Sequence, residues 1–128
     1  MMRMTATLAL AAISLSACAT SGSAPMVERG YQRGALAVAA IDRGDWTKAE
    51  YLLANGGADA EDPARLINLG KVYMATGRSG AALSAWRLAL ASDAHFMVET
   101  RDGRLASTDV LAREALDRHA RDVRSAAR

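Results

Sequence analysis

The stretch Asp62-Pro63-Ala64-Arg65-Leu66-Ile67-Asn68-Leu69-Gly70-Lys71-Val72-Tyr73-Met74-Ala75-Thr76-Gly77-Arg78-Ser79-Gly80-Ala81-Ala82-Leu83-Ser84-Ala85-Trp86-Arg87-Leu88-Ala89-Leu90 reads as two helices joined by a tight turn. Asp62 offers an N-cap oxygen, and Pro63 takes the first helical position, where a missing N–H costs nothing. Leu66, Leu69, Gly70 and Tyr73 recur at steps of three and four and form one stripe. Gly77 ends the first helix and Ser79 can cap the second, from which Ala82, Leu83, Trp86, Ala89 and Leu90 face back. Gly70 and Ala82 are small where two backbones must approach, and Tyr73 and Trp86 fill the volume beside them.

The same plan is present upstream. Gly44-Asp45-Trp46-Thr47-Lys48-Ala49 corresponds to Gly77-Arg78-Ser79-Gly80-Ala81-Ala82 at an offset of 33 residues, a period typical of helical arrays. Tyr31, Ala35, Val38 and Ile41 give one stripe, Gly44 ends it, and Asp45 can cap a helix with Trp46, Ala49 and Leu53 on one side, stopping at Gly56-Gly57. The pattern Leu66, Leu69-Gly70, Tyr73, Ala82, Trp86 and Ala89 resembles the tetratricopeptide repeat over residues 30–94. That resemblance implies a mainly α fold with two helix-turn-helix units. The first unit departs from it by carrying Ala37 and Ala40 where the second has Gly70 and Tyr73, and Ala94 stands where the family often has a proline. These departures bear on a conventional concave peptide groove rather than on the fold.

Two units are fewer than the roughly three an array needs to bury its core, so residues 95–128 must cover the open end. His95-Phe96-Met97-Val98-Glu99-Thr100 and Arg104-Leu105-Ala106-Ser107 flank Arg101-Asp102-Gly103, a signal for a β-hairpin; an irregular loop is the alternative. A capping helix should start at Ser107 or Thr108, with Asp109 in its first turn and Arg118, Arg121, Arg124 and Arg128 towards its end, a polarity that suits the helix dipole. Leu111, Ala112, Ala115, Leu116, Ala120 and Val123 form its apolar side. Its arginines make either a solvated face balanced by Glu114, Asp117 and Asp122 or a contact with anionic headgroups or an acidic partner.

At the other end, Arg3, the apolar run Met4 to Ile13 and the small residues before Cys18 have the three regions of a secretory signal peptide. The run is too short to span a bilayer, which takes about 20 residues. Leu15-Ser16-Ala17-Cys18 resembles the processing site of bacterial lipoproteins. The resemblance implies that residues 1–17 are a cleaved leader, that Cys18 carries the lipid, and that Ala19 after it fits sorting to the outer membrane, facing the periplasm. Several acyl chains, palmitate among them, would anchor the protein stably. The alternative is ordinary secretion, with Ala17-Cys18-Ala19 itself serving as a small-x-small cleavage site that releases a soluble chain beginning at Thr20, whereas Leu15 sits badly at the small-residue position required for cleavage after Ala17. Residues 18–29, small and polar, suit a flexible tether.

The charges, 16 basic against 14 acidic, alternate along the chain, so nothing indicates nucleic acid as a partner. Cys18 is the only cysteine, which rules out an internal disulfide and a thiol nucleophile once it is lipidated. His95 and His119 lack zinc-site spacing, no Gly-x-Ser-x-Gly elbow occurs, and Gly70-Lys71 lacks the rest of a phosphate loop. The expectation is therefore a protein with no catalytic activity, cofactor or metal and no small-molecule ligand. It would act as a protein-binding or assembly module of the cell envelope, the alternative being a structural lipoprotein touching membrane or cell wall. Among the aromatics Tyr51 falls off the Trp46-Ala49-Leu53 stripe, which makes it the candidate partner contact.

Overall fold

The two helix-ending glycines, Gly44 and Gly77, share one backbone conformation, with φ of 72° and 76°. The hydrogen bonds around them repeat as well. Gly44 N–H donates to Ile41 and Asp45 N–H to Ala40, at 3.0 and 2.9 Å; Gly77 N–H donates to Met74 and Arg78 N–H to Tyr73, at 3.2 and 2.8 Å. Positive φ is open to glycine without a β-carbon penalty, and the bond reaching back five residues satisfies a carbonyl that the helix end would leave unpaired. The 33-residue period is thus a period of structure.

The computed structural model describes residues 34–55 and 59–128. The expected leader, Cys18, the tether, Tyr31 and Gly56-Gly57 lie outside them. The described elements run α1 (Ala35–Asp42), α2 (Trp46–Asn55), α3 (Pro63–Ala75), α4 (Ser79–Leu90), β1 (Met97–Glu99), β2 (Leu105–Ser107) and α5 (Thr108–Ala126), a mainly α fold of two helix pairs, a short hairpin and a C-terminal helix.

Local chemistry sets the boundaries. Asp62 caps α3, its Oδ1 accepting from the N–H groups of Ala64 at 2.8 Å and Arg65 at 3.1 Å, with Pro63 at the first position. Asp45 Oδ1 accepts from Lys48 N–H at 3.2 Å at the start of α2. The side chain of Arg65 donates to the carbonyls of Leu53 and Ala60 at 2.6 and 3.1 Å, tying the end of α2 to the loop and to α3. Ser79 does not cap α4 as the sequence suggested: it is already helical, and Arg78 holds the N-cap position with no side-chain cap.

Helix α3 is the shared wall. Its Leu69 and Val72 pack with Ala37 and Ala40 of α1 and Ala49, Leu52 and Leu53 of α2, with Tyr73, Trp46, Leu36 and Ile41 at the margin. Its Leu66 and Ile67 pack with Ala89 of α4 and Ala112 of α5, joined by Leu90 and Leu111. Ala40, Ala49, Ala82, Ala89 and Ala112 are completely buried, so the helices approach closely at alanines. The first helix corrects the expected stripe. Ala37 and Ala40 point inward, while Val38, assigned to the buried side, is 42% exposed.

The hairpin of residues 96–107 exists. Strand β1 pairs antiparallel with β2 in the register Met97 with Ser107, Val98 with Ala106 and Glu99 with Leu105. Gly103 turns the chain at φ 80°, and Thr100 N–H donates to the Arg104 carbonyl at 2.8 Å. Two strands are marginal alone. Here Val98 and Ala106 share a face, and Ala106 and Thr108 are buried beside α5. The Thr108 hydroxyl is within 3.2 Å of His95 Nδ1, and Phe96 N–H donates to it at 3.4 Å, fastening the strand entry to the helix start. Helix α5 packs on α4 and α3 and so covers the open end of the second pair. Its apolar side is used only in part: Ala112 is buried, whereas Val123, expected to cap the core, is 54% exposed.

Candidate partner-binding face

Three cations from separate elements converge with one acid. Arg101, at the hairpin tip, pairs with Asp42 at the end of α1 at 2.7 Å. Lys71 of α3 lies within electrostatic reach of Asp42, Arg101 and Arg118, the last of these on α5. The pKa of Lys71 is pulled below the ordinary lysine value, first by lost hydration and then by the repulsion of Arg118 and Arg101, with Asp42 acting in the opposite sense. Yet Lys71 is an exposed residue. The cluster carries an excess of positive charge, three cations to one carboxylate, and suits an anionic group such as an acidic side chain.

The hairpin tip helps to build it. Arg104 forms a two-bond pair with Glu114 of α5 at 3.2 and 2.9 Å, and Arg101 reaches across to α1, so the tip links the last helix to the first. Thr100 Oγ1 donates to Asp102 Oδ1 and to the Arg104 carbonyl, which shapes the turn between the two arginines. The first of these bonds holds the Asp102 carboxyl below its usual range.

A second cationic feature is structural. The Arg78 guanidinium grips both oxygens of Glu50 at 2.9 and 2.6 Å, receives support from Thr76 Oγ1 at 3.0 Å, and lies 4.5 Å from the centroid of the Tyr73 ring. It joins α2 to the α3–α4 turn. The hydrogen bond from Arg78 holds the Glu50 carboxyl below its ordinary value.

Of the residues singled out in the sequence, Cys18 is outside the described residues. Tyr51 is on α2, 44% exposed, and its carbonyl accepts from Asn55 Nδ2 at 2.8 Å; it does not belong to the Lys71 cluster. Gly70, Ala82, Trp86 and Ala89 are buried, and Tyr73 is half-buried beneath Arg78. The indole lies directly on Gly70 instead of beside the crossing, and its Nε1 donates to the Ile67 carbonyl at 3.2 Å. His95 contacts Thr108, and His119 is half-buried on α5. Among the described residues no group of His, Cys, Asp and Glu has the geometry to hold a metal ion, and no helix is long and apolar enough to cross a membrane.

No motif in the sequence marks Lys71, Arg101 or Arg78 as interacting groups; of the four only Arg118 is marked, among the arginines of α5 that could meet an anionic partner. Lys71 stands out only beside the glycine of an incomplete phosphate loop, and Arg101 only in a turn. A partial signal was the 33-residue offset, which places Arg78 after Gly77 as Asp45 follows Gly44. No protein-family model, curated protein or solved structure matches this chain. The likeness to tetratricopeptide repeats therefore rests on the quoted residues alone.

Proposed function

We propose that this chain is a lipid-anchored protein of the bacterial cell envelope, fixed through Cys18 to the periplasmic side of the outer membrane, whose helix-pair domain binds another envelope protein. The observation that supports it best is the convergence of Arg101, Arg118 and Asp42 on Lys71, a net positive cluster that an acidic partner surface would complete. Lys71 is held there against lost hydration and cationic neighbours, a cost that Asp42 offsets only in part. The exposed ring of Tyr51 offers a second contact of the aromatic kind that dominates binding hot spots.

The test is site-specific photo-crosslinking of the full chain in intact envelopes, with the crosslinker at Asn68, one helical step from Lys71, and separately at Tyr51. Adducts to one defined protein from the Asn68 position, lost on Lys71→Glu and Arg118→Glu, are expected. Absence of a defined adduct from either position defeats the proposal. Mass spectrometry of the native protein should find an acylated Cys18 at the first residue, and an unmodified thiol there would remove the lipid anchor.

A further inference from the structure

Every residue from Arg121, in the last turns of α5, to Arg128, just past its end, is exposed. Five arginines of the body are engaged: Arg65 holds backbone carbonyls, while Arg78, Arg101, Arg104 and Arg113 each pair with a carboxylate; Arg43, Arg87 and Arg118 form no ion pair among the described residues but are scattered over three separate helices or helix ends. Arg121, Arg124 and Arg128 have no such partner among the described residues, although Asp117 lies four positions before Arg121, the spacing of a helical ion pair. With Ser125 they line a shallow depression that contains no acidic residue. Positions 121 and 124 lie about 60° apart around α5, and Arg128, two residues past the helix end at Ala126, lines the same depression. They form a single cationic edge.

We propose that this edge rests on an anionic phospholipid surface, the arginines meeting headgroup phosphates. Charge complementarity supplies the attraction: juxtamembrane cations are drawn to negative leaflets, and guanidinium is suited to phosphate. The composition of the edge favours a lipid surface over a protein. A protein interface concentrates its energy in a buried aromatic or aliphatic anchor, and the only large apolar residue on these turns, Val123, stands on the other side of the helix. An array of mobile phosphates needs no matching pocket. The contact is independent of the Lys71 cluster and of lipid on Cys18, and it would orient the domain against the membrane.

The experiment is co-sedimentation of the full chain carrying Cys18→Ala with vesicles of phosphatidylcholine alone or with phosphatidylglycerol added. Binding to the anionic vesicles is expected to weaken steeply with salt. It should fall about fivefold for each arginine removed, on the order of a hundredfold for Arg121→Gln, Arg124→Gln and Arg128→Gln together. Far-UV circular dichroism should show both forms folded. A paired control, Arg43→Gln with Arg87→Gln, removes exposed arginines elsewhere and should leave binding unchanged. Equal binding to both vesicle types, equal losses in the control, or capture by polyglutamate without vesicle binding would each overturn the proposal, the last by pointing to an acidic protein.

Discussion

Trp86 fills the space that any side chain at Gly70 would need: a β-carbon built there would lie 2.1 Å from the indole Nε1. The helices α3 and α4 meet through this pair, and the indole N–H completes the contact by bonding the Ile67 carbonyl.

Glycine-to-alanine exchanges in two neighbouring helices should therefore have opposite signs. Gly70→Ala is expected to destabilise by about 1–3 kcal/mol through overpacking, whereas Gly80→Ala, where a β-carbon meets open space, should stabilise by a few tenths to about 1 kcal/mol. Urea denaturation of both variants reads the difference, and a stabilising Gly70→Ala would contradict the packing described.

Thr108 is completely buried and its hydroxyl serves both His95 and the Phe96 N–H. Thr108→Val keeps the shape and removes the oxygen, leaving those groups without their partner, at a cost of about 1–3 kcal/mol. Hydrogen exchange should accelerate at Phe96 first if the hydroxyl fastens the hairpin to α5, and unchanged protection there would show that it does not.

Lys71→Met should raise stability at neutral pH while weakening partner capture. The folded-state pKa of Lys71 lies below the ordinary value of 10.5, so the unfolded chain binds more protons in the interval between the two. Stability of the wild type therefore rises with pH across that interval, and the Lys71→Met form should lack this component. Thermal midpoints recorded from pH 7 to 11 check the sign; identical profiles would remove the case for a dehydrated ammonium.

Glu50 behaves in the opposite sense. Its carboxyl is held below 4.5 by Arg78, so the pair contributes fully above that value and is lost as pH falls through the lowered folded pKa. The stability gap between wild type and Glu50→Gln should be modest at pH 7, since both partners are partly solvent-exposed, and should close in acid. A gap that persists unchanged to pH 2 would locate its origin elsewhere.

How much was legible in the sequence depended on the range of the interaction. Asp62, Pro63, Asp45, Gly44 and Gly77 act within one turn of their own backbone, so capping oxygens, a fixed φ and left-handed glycines marked the helix ends directly. The hairpin was half legible: Asp102-Gly103 marked the turn, but two short strands could persist only because Ala106 and Thr108 found cover at α5. The inward face of α1 was misjudged because periodicity ranks Val38 above alanine, while a close crossing selects small residues such as Ala37 and Ala40. Arg101, Lys71 and Arg118 stand far apart in the chain and carry no common motif. Their grouping, with Asp42 beside Lys71 and Arg101, was decided by tertiary structure alone, because a charge cluster is made by the places where helices and a hairpin tip end up, and no local rule of chain geometry specifies that convergence.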